Sequence, residues 1–101
     1  MDFQVEWTDL AISDLEQIVS FIAEDNPVAA ASLGEDVFHS AEVLHTFPFI
    51  GSRYPWSPDD NTRQIFCRKW YRIIYRVCEE AKRVEIVRIW HGARNKPDTL
   101  I

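Results

Sequence analysis

The chain contains 101 residues, of which 47% are hydrophobic and 27% are charged, and its formal net charge is −5. This length suits one domain, and the composition excludes a disordered, collagen-like or low-complexity chain. No apolar run approaches the roughly 18–20 residues that a membrane-spanning helix needs. The N-terminal sequence has neither a basic nor an apolar segment, so we expect no secretory signal and a cytoplasmic location. Cys67 and Cys78 lack metal-ligand spacing and are expected to be reduced.

The charges are divided unevenly along the chain. Residues 1–52 contain ten acidic residues and no Lys or Arg, whereas residues 53–101 contain eleven basic and six acidic residues, which gives −10 and +5 for the two parts. Two interpretations fit this asymmetry: two faces with different partners, or pairing of the two parts within one domain. The total charge taken alone argues against binding to nucleic acid.

The first half of the chain predicts a strand followed by two helices. Alternating apolar residues over 3–7 indicate a short strand with one buried face. Thr8 has the position of a helix N-cap, and the helix that follows is predicted to end near Asp25. Asn26 and Pro27 begin a second helix that ends at Pro48, and the short connection predicts an antiparallel helix hairpin. The predicted inward-facing residues are Ala11, Leu15, Ile18 and Ile22, followed by Leu33, Val37, Phe38, Ala41, Leu44 and Phe47.

After an irregular loop at 49–61, the second half predicts three strands. In the first, 63–69, Ile65 and Cys67 alternate with polar residues that include Arg63. The second, 71–77, has the sequence Tyr-Arg-Ile-Ile-Tyr-Arg-Val and high β propensity. A turn at 79–82 precedes the third strand, 83–90. Its alternation places Val84, Ile86, Arg88 and Trp90 on one face and Glu85, Val87 and Ile89 on the other. The order β-α-α-β-β-β predicts one α+β domain over 1–101, with the helix hairpin packed on a small antiparallel sheet.

Four groups of residues form a specific combination with this element order. Trp7-Thr8 precedes the first helix, and Asp25-Asn26-Pro27 begins the second. The strand 71–77 is followed by Val-Arg-Ile-Trp-His-Gly-Ala-Arg at 87–94. The combination resembles the RelE/ParE superfamily of toxins from type II toxin–antitoxin systems, over residues 3 to about 96. The resemblance implies a small toxin that a co-expressed antitoxin holds inactive. Ribosome-dependent mRNA endoribonucleases and DNA gyrase poisons share this fold.

The resemblance also implies catalytic candidates for the ribonuclease branch, where RNA cleavage needs cations at the phosphate and an acid/base pair. Arg72 matches the family's arginine in Tyr-Arg-x-x-Tyr, and Arg94 matches the arginine after the last strand. Arg63 lies near a position that is basic in the ribonucleases, and His91 is a candidate acid or base. Three of these residues also have a structural interpretation: Arg72 paired with Glu85 or another cross-strand acid, Arg94 as a solvated base, and His91 as a packed turn residue. Neither a metal nor a cofactor is expected.

Departures from the ribonuclease pattern favour the ParE-like branch. The ribonucleases tend to carry closely spaced lysines where this chain has Ile65, and a tyrosine soon after the last arginine where 95–101 has none. They are usually basic. We therefore expect ParE-like action on DNA gyrase, with a RelE-like mRNA endoribonuclease and an inactive interaction protein that retains the fold as alternatives. Expected partners are a cognate antitoxin and either gyrase or the ribosome with its mRNA, without a membrane.

Two expectations concern interfaces. An antitoxin segment should dock through apolar anchors and cover the base-rich second half of the chain, with strand addition at a sheet edge as one available mode. Trp56 and Trp70 lie in irregular stretches, where exposed aromatic side chains suit an interface.

Overall fold

The computed structural model describes residues 2–92, which form two helices packed on a five-stranded mixed sheet. The strand order in the sheet is β1-β5-β4-β3-β2. The elements are β1 (Gln4–Trp7), α1 (Asp9–Ala23), α2 (Pro27–Glu42) with a 3₁₀ turn (Val43–His45), β2 (Ser52–Arg53), β3 (Thr62–Cys67), β4 (Tyr71–Cys78) and β5 (Arg83–His91). The predicted α+β class is confirmed. Within the described residues, neither helix is long and apolar enough to cross a bilayer.

The sheet differs from the prediction in two respects. It is mixed, because β1 pairs with β5 in parallel while the other neighbours are antiparallel. Parallel neighbours need a crossover connection, and the path through both helices and the β2–β4 strands supplies it. The 49–61 segment, predicted as an irregular loop, contains the two-residue strand β2 and the fully buried Tyr54. The prediction of an all-antiparallel sheet was therefore wrong at its first strand.

Both helices begin where their capping residues predict. The Thr8 hydroxyl accepts the Ala11 N–H at 3.2 Å, and the Asn26 side chain accepts the Ala29 N–H at 3.0 Å. These bonds satisfy amides that have no partner within the helix. The Thr8 hydroxyl also donates to the Ile86 carbonyl at 2.9 Å, which ties the start of α1 to β5.

The end of α2 and two of its predicted inward residues need correction. The helix ends at Glu42 and continues only as a 3₁₀ turn, so Pro48 does not end it. Phe38 is 53% exposed because it lies about 100° around the helix from the buried stripe, and its ring stacks on Trp7. Phe47 is 57% exposed because it follows the 3₁₀ turn, where the α-helical period no longer applies.

The main core lies between the helices and the sheet. A β-bulge in β5 places the buried residues of this strand on both faces of the sheet. Tyr75 pairs with Ile86, but Ile74 pairs with Arg88, so Val87 is the extra residue. Val87 is therefore buried against Ile74 on the outer face, defined here as the sheet face opposite the helices. The uninterrupted alternation predicted for 83–90 was wrong beyond Ile86. The fully buried core residues of the helix side include Leu33, Val37, Leu44, Ile73, Tyr75, Val77, Val84, Ile86 and Ile89.

Candidate functional site

An arginine among aromatic rings occupies the outer face of the sheet. Arg72 lies between Tyr71 and Ile73 on β4, which both contact the helix-side core, so its own side chain points to the outer face. It is paired in register with Phe66 on β3. The Arg72 guanidinium carbon lies 5.4 Å from the ring centroids of both Phe66 and Trp56. We call Tyr54, Trp56, Phe66 and Arg72 the Arg72 patch.

The aromatic members of the Arg72 patch differ in exposure. Tyr54 is only 1% exposed and packs edge-on against Trp56, whose side chain is 51% exposed, and Phe66 is 50% exposed. Burial raises the pKa of the Tyr54 hydroxyl, and the nearby positive charges of Arg72 and Arg88 partly offset this rise. The exposed position predicted for Trp56 and Trp70 agrees with the structure, where Trp70 is 55% exposed. In the sequence, Phe66 stood out because it is an apolar residue at one of the polar positions of the predicted strand 63–69.

Arg63 lies on the other side of the sheet. It is paired with Tyr75, and it shares its face with Ile65 and Cys67, so its assignment to the polar face of β3 was wrong. Its Nη1 donates to the Gly51 carbonyl at 2.7 Å, and its guanidinium stands 5.1 Å from the Phe49 ring. The side chain therefore fastens the segment before β2 to the sheet.

The same segment is held from inside the core by Tyr75. The Gly51 N–H donates to the buried Tyr75 hydroxyl at 2.9 Å, while the Gly51 carbonyl accepts from Arg63. Burial raises the pKa of the Tyr75 hydroxyl, although the Gly51 hydrogen bond and the Arg63 charge both favour the ionised form. Gly51 thus connects a core tyrosine to an arginine at the sheet margin.

We expect the loss of the Tyr75 hydroxyl to matter less at alkaline pH. Tyr75→Phe should lower the free energy of unfolding by about 1 kcal/mol near pH 7, because a buried hydrogen bond is lost. In the wild type the folded-state pKa is raised, so this group's contribution is complete below the unfolded pKa of about 10 and is lost as pH rises towards the folded value. Chemical denaturation of both proteins from pH 7 to 11 measures the difference. A difference that stays constant above pH 10 would contradict the expectation.

The side chain of His91 does not lie beside Arg72. His91 is paired with Tyr71, whose ring it meets edge-on at 5.1 Å, at the margin of the helix-side face. Arg94 lies outside the described residues. The alternative pairing of Arg72 with Glu85 is wrong, because Glu85 is bound by Arg76 at 3.4 Å and by Arg83 at 3.6 Å. Arg72 and Arg63, which the sequence named together as catalytic candidates, lie on opposite faces of the sheet.

A cleft of about 700 Å³ separates α1 from the part of β5 that extends beyond β1. Apolar side chains such as Leu10 and Phe21 line its helix side, and Phe21 is 72% exposed. Within residues 2–92, no group of three or more His, Cys, Asp or Glu side chains could hold a metal ion there or elsewhere.

One ion pair joins the two walls of this cleft. Arg88 Nε and Nη2 donate to the two carboxylate oxygens of Asp14 at 2.7 and 3.0 Å, and each side chain is only 11% exposed. The same carboxylate accepts the Ile89 N–H at 3.0 Å, at the strand edge that β1 leaves uncovered. In the sequence, this pair was indicated only by Arg88, which stands within the otherwise apolar run 86–90. Nothing in the sequence identified Asp14 as its partner.

Comparison with protein families identifies the relationship of this chain to known proteins. Residues 5–96 match the family described as the ParE toxin of type II toxin–antitoxin systems, parDE. The chain belongs to the ParE toxin family. This places it within the superfamily that its sequence resembles, and makes it a toxin of a toxin–antitoxin module. Comparison with curated proteins gave no match.

Solved structures from both branches of the superfamily share the fold of this ParE-family chain. A chromosomal ParDE toxin–antitoxin system from P. aeruginosa matches with a TM-score of 0.73 and 23% identity, covering 88% of this chain and 95% of that one. The RelBE2 toxin–antitoxin complex from Mycobacterium tuberculosis matches with a TM-score of 0.61 and 25% identity, covering 90% and 99%. A mutant of the E. coli toxin RelE in its free state gives 0.67 and 16%, covering 92% and 86%.

Proposed function

We propose that this ParE-family toxin acts by binding DNA gyrase and does not cleave mRNA. The supporting observation is the separation of the ribonuclease candidates. Arg72 lies on the outer face of the sheet, whereas Arg63 lies on the helix side and is engaged with the Gly51 carbonyl. A toxin that inhibits by binding needs a complementary surface and no converging acid, base and phosphate ligands.

The surroundings of Arg72 support binding over RNA cleavage. Cleavage by the 2′-hydroxyl requires in-line geometry, cations at the phosphate and a proton acceptor within hydrogen-bonding reach. The side chains beside its guanidinium are the Phe66 and Trp56 rings and the Tyr54 hydroxyl, and no imidazole or carboxylate of residues 2–92 contacts it. His91, the candidate acid or base, contacts Tyr71 at the margin of the other face.

The charge of the chain supports the same conclusion. Ribosomal RNA presents many phosphates, and affinity for it depends on Lys and Arg side chains that neutralise them. The net charge here is −5, and most of the described arginines already contact carboxylates: Arg53, Arg68, Arg76, Arg83 and Arg88. Few cations are therefore available for a polyanionic surface.

The toxin is expected to be neutralised by a cognate antitoxin protein. The matching family consists of toxins of type II toxin–antitoxin systems, and two of the similar solved structures are a toxin–antitoxin system and a toxin–antitoxin complex. We propose that the antitoxin covers the base-rich second half of the chain. The two proteins together should therefore permit growth that the toxin alone prevents.

The mechanism can be tested with the purified toxin in two parallel assays. We expect it to inhibit supercoiling by DNA gyrase and to accumulate gyrase-dependent DNA breaks, with both effects removed by the antitoxin. In a ribosome-dependent translation reaction the same toxin should leave mRNA intact. Cleaved mRNA with unaffected supercoiling would contradict the proposal and favour the RelE-like alternative. Normal growth at high expression without antitoxin, with no effect in either assay, would favour an inactive interaction protein.

A further inference from the structure

Arg72 differs from the other described arginines in its partners. Residues 2–92 contain seven arginines. Five contact carboxylates: Arg53, Arg68, Arg76, Arg83 and Arg88. Arg63 donates to backbone carbonyls instead. Arg72 has neither kind of acceptor within the described chain, although the protein carries sixteen acidic residues. Its neighbours are two aromatic rings and the Tyr54 hydroxyl.

We propose that the Arg72 patch binds a segment of the cognate antitoxin in which an Asp or Glu adjoins an apolar side chain. The carboxylate would pair with the Arg72 guanidinium, and the apolar side chain would cover the Phe66 and Trp56 rings. The inference rests on the antitoxin part of the proposed function and not on the choice of gyrase as target.

The geometry of the patch suits a planar anion. A guanidinium can donate two parallel N–H bonds to one carboxylate, which makes such pairs both stronger and more directional than pairs with an ammonium group. The two rings at 5.4 Å attract the cation and restrict its side chain. An arginine held in this way loses less side-chain entropy when a partner binds.

The half-exposed rings beside Arg72 suit a protein interface. Trp56 and Phe66 are each about half exposed beside the fully buried Tyr54. Aromatic side chains and arginine are the residue types enriched at the centres of protein interfaces, and apolar patches of this kind mark interaction sites. A toxin spends its resting state bound to antitoxin, so the antitoxin is the partner that would cover these rings.

A protein segment fits this patch better than a nucleic acid. Phosphate backbones are bound by several cations along a groove, whereas the other arginine on the outer face of β4, Arg76, already contacts Asp59 and Glu85. One guanidinium that contacts two rings and the Tyr54 hydroxyl but no carboxylate of residues 2–92 matches one carboxylate with an apolar neighbour. The position of the patch on β3 and β4 also agrees with the expectation that the antitoxin covers the base-rich second half.

Calorimetric titration of the toxin with the antitoxin whose co-expression restores growth tests the proposal. Arg72→Ala should weaken binding by about tenfold or more, as expected at the centre of an interface. Arg72→Lys should recover only part of this loss, because Lys keeps the charge but not the planar pair of donors. His39→Ala is the control, since His39 is exposed on α2, outside the base-rich residues 53–101, and contacts Glu42 of the same helix, so this substitution should change affinity by less than about twofold. Equal thermal unfolding of the variants checks that each is folded.

Charge exchange identifies the acceptor. Arg72→Glu should abolish binding, and replacing the responsible antitoxin carboxylate with Arg should restore it. Binding of Arg72→Ala within twofold of the wild type would overturn the proposal. So would loss of gyrase or single-stranded RNA binding in Arg72→Ala with antitoxin binding unchanged. If the antitoxin depends on Arg72 but the wild type does not inhibit gyrase, the proposed target fails and this inference stands.

Discussion

Asp14→Ala is expected to lower the free energy of unfolding by about 3 kcal/mol, since breaking a largely buried ion pair by removing one member is strongly destabilising. The Asp14 carboxylate accepts two bonds from Arg88 and one from the Ile89 N–H. Both charged side chains are only 11% exposed, so water can replace few of the hydrogen bonds that the substitution removes. The variant also exposes the edge of β5 beyond β1, where Asp14 takes the place of a neighbouring strand.

Asp36→Ala provides the matched control for this prediction. Asp36 also contacts an arginine, Arg68, with an N–O distance of 2.6 Å, but the two side chains are 49% and 39% exposed. Exposed pairs contribute at most about 1 kcal/mol, because solvent screens them and two long side chains lose freedom. Urea denaturation of both variants measures the contrast. Equal losses for Asp14→Ala and Asp36→Ala would show that the bond between α1 and β5 is no stronger than a surface contact.

Local sequence signals predicted most of the element order. Thr8 and Asn26 mark the helix starts because a side-chain oxygen at an N-cap satisfies amides that the helix leaves unpaired. The strand at 71–77 was predictable because β-branched and aromatic residues dominate it, and the structure extends it by one residue to Cys78. These signals act within a few residues, so a single sequence contains them in full.

Features that depend on distant contacts were not predictable in this way. The bulge at Val87 arises from the pairing of β5 with β4, and a strict period of two continued through it places every later residue on the wrong face. The parallel pairing of β1 with β5 and the two-residue strand β2 also depend on partners far along the chain. The two residues of β2 are too few to show a period.

The candidate site was predictable in its residues but not in its arrangement. The resemblance placed Arg72 on the Tyr-Arg-x-x-Tyr strand, where the structure also has it. Two residues contact it there, Trp56 and Phe66. In the sequence they stood out only as aromatic residues outside a core pattern. Arg63 was named as a catalytic candidate beside Arg72 because the resemblance gives it a position that is basic in the ribonucleases. Their opposite faces follow from the register of β3 against β4, in which Arg63 lies across from the buried Tyr75.

Gly51→Ala is expected to lower the free energy of unfolding by about 2–3 kcal/mol, in the range of substitutions that overfill a packed site. A Cβ at this position would lie 2.5 Å from the Gln64 carbonyl oxygen and 2.6 Å from the Tyr75 hydroxyl. The first contact is with backbone inside β3, which cannot move without disturbing the sheet. Gly51 binds Tyr75 through its N–H and Arg63 through its carbonyl. The segment around Gly51 must therefore shift as a whole.

Gly34→Ala separates this clash from the general effect of adding a methyl group. Gly34 lies within α2, and its Cβ would meet Val19 at 3.7 Å, an ordinary packing distance. Alanine favours the helix, so we expect this variant to gain about 0.5–1 kcal/mol. Thermal and urea unfolding of the two variants should give changes of opposite sign. A loss in both would mean that α2 approaches α1 too closely for a methyl group, whereas a gain in both would mean that the segment at Gly51 is free to move away from β3.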